Sequence, residues 1–280
     1  MARKTSKTAP KGTTTSTLKA FTDRAERLAK RHPIRSGVKA VLDDIVQLQF
    51  NVLATTTPMF CALTGGGAWF NDTYLIALDE YRDHPQVWAE LLAVSQMYMD
   101  LVRTAAAFTD LLSDVYGAAI PTSQAKAMAQ HLTPVGLADG VTGFAERLTG
   151  EGNRPFNPNE GRLVLDPTCG TGALLLAQLR QALKANGKAG VARMYVLGND
   201  IDPAMMKATV VQIVLSSTMH GVPLGGLLVH CADLIRDYHD AKADTVAVQM
   251  CSDLTRTIKH ARDETARRQA QNGQAKRTAA

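Results

Sequence analysis

Residues 162 to 179 read Arg-Leu-Val-Leu-Asp-Pro-Thr-Cys-Gly-Thr-Gly-Ala-Leu-Leu-Leu-Ala-Gln-Leu, and their changes of character set the fold. The run Leu163-Val164-Leu165 has no polar alternation, which predicts a fully buried parallel strand. Asp166-Pro167 ends it, because proline cannot extend a ladder. Gly170-Thr171-Gly172 then permits a tight turn and a close approach to the backbone. From Ala173 to Leu179 strong helix formers return. Strand, glycine turn and helix make the front half of a βαβ unit, with the helix N-terminus turning unpaired N–H groups toward a ligand.

The type of glycine loop narrows the ligand. A dinucleotide fingerprint needs a third glycine three residues after the second, where Leu175 stands. An NTPase phosphate loop needs Gly-Lys-Ser/Thr, and no lysine follows Gly172. What remains, Asp166-Pro167-Thr168-Cys169-Gly170-Thr171-Gly172, resembles motif I of S-adenosylmethionine-dependent DNA methyltransferases, especially the adenine-N6 branch and the modification subunits of type I restriction systems. Asp166, Gly170 and Gly172 are then expected to bind the cofactor.

Downstream, Met194-Tyr195-Val196-Leu197-Gly198 predicts a second buried strand ending at Asn199-Asp200-Ile201-Asp202-Pro203. An acid at that tip can accept hydrogen bonds from both hydroxyls of a ribose. The segment resembles motif II, which favours Asp200, while Asp202 before proline is either the alternative or a helix cap. Ala204 to Met219 reads as the next helix, closed by His220-Gly221, with Gln212 nearest to where the relatives carry asparagine. A third strand, Leu227 to Cys231, ends at Ala232-Asp233-Leu234, which resembles motif III. That resemblance gives Asp233 the adenine amine as partner; an N-cap is its plain alternative. Upstream, Gln130 and Thr133-Pro134 resemble the motif X region and imply a contact of Thr133 with the cofactor. Thr133 also reads as an N-cap, opening an amphipathic helix with Val135, Leu137, Ala138, Val141, Phe144 and Leu148.

The resemblance breaks at the catalytic strand. After Thr245-Val246-Ala247-Val248 the family carries Asn-Pro-Pro-aromatic, whose amide and carbonyl oxygens hold the amine of a flipped adenine beneath the aromatic ring. Here the register gives Gln249-Met250-Cys251-Ser252. The extra methylene of Gln249, the degenerate catalytic position, misplaces the acceptor, and a misplacement of about 1 Å can cost on the order of a hundredfold in rate. Ser252 forfeits base stacking, roughly 1–3 kcal/mol. No counterpart of the family's later strands is expected in the charged stretch after Ser252.

The remaining sequence sets the surroundings. The chain has 280 residues, is 45% hydrophobic and carries a net charge of +5, enough for one good core and a smaller helical unit. Arg3, Lys4, Lys7, Lys11 and Lys19 crowd one end and Arg262, Arg267, Arg268, Lys276 and Arg277 the other; contact with DNA and plain solvation both fit. Four scattered cysteines show no metal spacing, and no run is long enough to span a membrane. A reduced, cytoplasmic protein without a metal is expected. Residues 1–17 read as a disordered basic tail and 18–120 as an all-helical N-terminal region, with helices over 18–31 and 38–54, from Asn71 or Asp72 to Tyr81, and from Pro85 to about Val115. Gly65-Gly66-Gly67 reads as a loop. Residues 121–255 read as a methyltransferase-like domain and 256–280 as a basic helix or tail. The expected fold is α/β: a truncated, doubly wound Rossmann-like methyltransferase sheet of about four strands behind that helical region. Three readings follow. The leading one is a catalytically degenerate S-adenosylmethionine-binding protein acting through DNA or protein contacts; the others are an active adenine-N6 methyltransferase completed by a partner subunit, and a non-enzymatic DNA- or partner-binding protein with an empty pocket.

Overall fold

A computed structural model describes residues 11–63, 66–120, 132–149, 161–237 and 244–250, with the backbone alone described for 11–16 and 244–250. Gln130, Cys251, Ser252, Arg3, Lys4, Lys7 and the basic segment 256–280 therefore lie outside the described residues.

Helix α1 (Lys11–Arg31) begins inside the stretch expected as a tail, despite Gly12 and the threonines that follow it. Its buried Phe21, Ala25 and Leu28 anchor it. Helix α2 (Val38–Leu63) runs through Pro58 rather than stopping before Thr55. Thr55 and Thr56 turn their hydroxyls back onto Asn51 O and Val52 O, and burial of Thr57 and Cys61 carries the helix on. Strand β1 (Gly67–Phe70) replaces the expected loop end, and two 3-10 turns, Asp72–Tyr74 and Asp79–Tyr81, replace the expected helix. The N-terminal third is thus not all helical. Asn71 does cap as expected, accepting from Thr73 N at 3.0 Å.

Helix α3 (Pro85–Thr104) stops short of Val115, and α4 (Ser113–Ala119) follows a separate turn. In that turn Phe108 takes φ +61°, costly for a bulky residue. It is held there by Ser216 Oγ, which accepts from Phe108 N at 2.6 Å. Helix α5 (Val135–Thr149) precedes the run that opens with strand β2 (Arg162–Asp166). Helix α6 (Ala173–Val191), strand β3 (Met194–Asp200), helix α7 (Pro203–His220) and strand β4 (Gly226–Cys231) complete the expected βαβαβ series. Strand β5 (Asp244–Met250) ends the described chain.

The sheet order is β1-β5-β4-β3-β2. β2, β3 and β4 are parallel, while β5 lies antiparallel to both β4 and β1. Among the described residues the sheet is wound on one face rather than doubly wound. A Cβ on Gly198 of β3 would meet both Leu175 of α6 and Thr209 of α7, so these two helices share one face. Strands laid down in chain order in one direction, with crossovers of one hand, force that result. Helix α7 is buried on all sides from Met205 to Ser217, as expected of a helix enclosed by neighbours. It packs on β3, β4 and β5 beneath and on α2 and α3 above.

Candidate functional site

The carboxyl ends of β2, β3 and β4 form one edge, where open parallel sheets place their ligands. Asp166 ends β2 and Asp200 ends β3. Asp233 lies two residues beyond β4. The glycine loop folds over these tips. Cys169 N donates to Asn199 O at 2.8 Å, and Gly172 N donates to Cys169 O at 2.8 Å. Gly170 and Gly172 take φ +54° and +93°, a region where side chains are strained.

Asp200 binds the loop directly. Its Oδ2 accepts from Gly170 N at 2.9 Å and its Oδ1 from Asp202 N at 3.0 Å. Asp202 takes the capping alternative, accepting from Ala204 N at 2.9 Å at the start of α7. Asp166 Oδ1 accepts from Thr168 N at 3.1 Å. Burial pushes the Asp166 carboxyl above its usual range, with the Asp200 charge adding to the rise. Asp233 caps its own turn, accepting from Ile235 N and Arg236 N at 3.0 and 3.3 Å. Thr133 sits half-buried at the entry to α5. Its neighbour Leu132 leans on the loop, 3.0 Å from where a Cβ on Gly170 would stand.

Gln249 is not brought to this edge. β5 runs antiparallel to β4 and pairs Gln249 with Leu227, near the start of β4. The strand tips lie four residues further along, about 13 Å away at the rise of a strand.

Several polar residues around the loop have a role the sequence does not announce; Gln212 stood out only as the amide nearest the relatives' asparagine. Thr209 Oγ1 donates to Gly170 O at 2.7 Å. Gln212 Nε2 donates to Thr171 O at 2.9 Å and to Asp110 Oδ1 at 3.1 Å. Ser113 Oγ and Thr171 Oγ1 share a hydrogen bond at 2.5 Å. Asn199 Nδ2 joins Pro167 O and Ala232 O at 3.1 and 3.0 Å, tying the tips of β2 and β4. The available signal was spacing: Thr209, Gln212 and Ser216 recur at i, i+3 and i+7 on one face of the helix. Lys207 of α7 donates to Gln47 Oε1 of α2, and burial lowers its ammonium below the usual lysine range. Cys169, though in the loop, is buried and its thiol is pushed up to about 12, which leaves it protonated and inert.

Fold and site together define a mixed α/β protein whose glycine loop is fastened to the acid at the tip of the next strand. No protein-family model and no curated protein matches the chain. Among solved structures it is similar to the methyltransferase subunit of a type I restriction-modification system from Streptococcus thermophilus, at 18% identity and a TM-score of 0.36. That overlap covers 78% of this chain and 39% of the subunit, so the chain spans about two fifths of its length. A TM-score at that level is too loose to fix a shared fold. Among the described residues no helix is long and apolar enough to cross a membrane, and no cluster of three metal-ligating side chains occurs.

Proposed function

We propose that this chain is an S-adenosylmethionine-binding relative of the adenine-N6 DNA methyltransferases that does not itself methylate adenine and acts through DNA or protein contacts. The observation that carries the reading is the 2.9 Å bond from Gly170 N to Asp200 Oδ2. It locks the glycine loop to the acid expected to hold the ribose.

The residues present fit the cofactor. Each Asp200 oxygen accepts one backbone N–H and retains a second acceptor site for a ribose hydroxyl. Gly172 caps α6 with no side-chain bond, leaving first-turn N–H groups to meet polar atoms of the ligand. Asp166 would supply negative charge beside a cationic ligand, and Thr133 at the entry to α5 and Asp233 just beyond β4 are the remaining expected contacts. When bound, the cofactor supplies an electrophilic methyl group on a sulfonium. Gln249, the position expected to accept the amine of a flipped adenine, pairs with Leu227 near the opposite end of β4.

Two measurements test this. Calorimetric titration is expected to show micromolar binding of S-adenosylmethionine. Incubation of the protein with unmethylated DNA and radiolabelled cofactor is expected to give no incorporation. Robust incorporation that disappears on Asp166→Ala would overturn the degenerate assignment.

Binding is also expected to weaken on acidification, starting above the ordinary carboxylate range. Burial raises the Asp166 carboxyl, and a cation favours its ionised form, so protonation removes the attraction. Titrations from about pH 7.5 to about pH 4.5 should show affinity falling through the raised value, a window set by carboxylates shifted upward. Asp166→Asn should bind more weakly at neutral pH and flatten that dependence. A wild-type profile as flat as the variant's would remove Asp166 from the site.

A further inference from the structure

Strand β2 pairs on one side only among the described residues, with β3. Arg162 N donates to Arg193 O at 2.8 Å, which points the backbone groups of Arg162, Val164 and Asp166 toward β3. By strand alternation the N–H and C=O of Leu163 and Leu165 point out of the open edge. The same two residues expose 65% and 60% of their surface. Parallel strands are normally covered on both faces, and an uncharged open edge is a template for another strand. The same side is apolar on the neighbouring strands: Leu165, Leu197 and Leu228 follow one another in register, and Trp69 of β1 is 47% exposed. The segments of this sequence outside the described residues carry no alternating large apolar side chains, only isolated ones such as Met128, Phe156, Leu254 and Ile258.

We propose that the open edge of β2 is a self-interface, closed by a second copy of this chain running antiparallel. The sequence Arg162-Leu163-Val164-Leu165-Asp166 is self-complementary in that direction. Centred on Val164, it sets Leu163 opposite the partner's Leu165, so the outward backbone groups of both strands meet as hydrogen-bonded pairs. It also sets Arg162 opposite the partner's Asp166, a favourable opposite-charge pair. A shift of two residues in either direction loses one of the leucine pairs and both charge pairs. The two-fold axis passes beside Val164. Arg162 of each copy then lies opposite the strand-tip Asp166 of the other, which makes the edge part of the site; the Asp166 pH dependence expected above is that of the monomer, since a guanidinium beside the carboxyl favours its ionised form.

The test is the association state of the full chain by sedimentation equilibrium over a concentration series. The wild type is expected to dimerise. Leu163→Lys combined with Leu165→Lys should raise the dissociation constant at least about tenfold, because lysine on an edge strand blocks pairing. Both side chains are already exposed, so its circular dichroism and melting should match the wild type. Val164→Cys fixes the register. On the axis it faces itself in a non-hydrogen-bonded pair with Cα atoms about 4.5 Å apart, within disulfide reach, and mild oxidation should give a covalent dimer. Three results would overturn the proposal: a monomer at every concentration, a dimer indifferent to the two lysines, or a dimeric Val164→Cys sample that does not cross-link. Cofactor titration reads the other proposal separately, since a monomer that binds S-adenosylmethionine refutes only the interface.

Discussion

Gln212→Ala should destabilise the protein by about 3–5 kcal/mol, among the largest losses available to a single truncation here. The residue is 2% exposed and uses both ends of its amide. Its Oε1 accepts from Leu111 N and Leu112 N at 2.8 and 3.2 Å, while its Nε2 holds Asp110 Oδ1 and Thr171 O. Truncation leaves these groups buried without that partner, each at a cost of about 1–3 kcal/mol. Water entering the void recovers part of the loss, which is why the figure is not the full sum. Gln212→Glu should be no better, because it deletes the donor and puts a second carboxylate against Asp110. Gln96→Ala, on the exposed side of α3, is the control and should stay within about 0.5 kcal/mol. Urea unfolding reads both as a shift of midpoint at constant slope. A Gln212→Ala loss under about 1 kcal/mol would mean that the turn from Phe108 to Leu112 and the glycine loop are not fastened through this amide.

The elements along the chain were legible where each carries its own punctuation. Asp166-Pro167 stops β2, and Asp202-Pro203 opens α7, which Gly221 closes at φ +56°. Asp200 was legible for a similar reason, since an acid placed just past a buried strand falls at the tip. The order of the strands was not legible. A run such as Leu163-Val164-Leu165 has no polar member to mark its outer face, so the sequence cannot show that Val164 turns inward while both leucines stay exposed. Nor does anything within Asp244–Met250 reveal that it lies antiparallel to β4, which is what removes Gln249 from the crevice. Helix α5 misleads in another way. Its large apolar residues Leu137, Val141, Phe144 and Leu148 are exposed, and the small Ala138 packs on Ala173 and Ala177 of α6 instead. Periodicity finds the stripe, but not which side a neighbouring helix approaches. Gln212 was visible as a lone amide in an apolar helix; its role depends on a turn about a hundred residues upstream, and no local pattern encodes that.

Asp200→Ala should weaken S-adenosylmethionine binding at least about a hundredfold, close to 3 kcal/mol, as expected when hydrogen bonds to a charged group are each worth roughly 1.5–3 kcal/mol. Two contributions combine. The carboxylate is expected to accept from the ribose hydroxyls, and it already holds Gly170 N and Asp202 N in place, so its removal both deletes a ligand contact and loosens the loop. Asp200→Asn separates these. An amide keeps one acceptor oxygen but turns a donor toward one of the two backbone N–H groups, so an intermediate loss of about tenfold is expected, the equivalent of one hydrogen bond. Asp202→Asn provides the discriminating control. Asparagine caps a helix as well as aspartate does, so this variant should keep near wild-type affinity if Asp202 serves only as the cap that accepts from Ala204 N. Melting temperatures of all three variants, taken without ligand, show whether a lost affinity reflects a lost fold. If Asp200→Ala binds like the wild type, or if Asp202→Asn proves the more damaging change, the ribose is not held at the tip of β3 by Asp200.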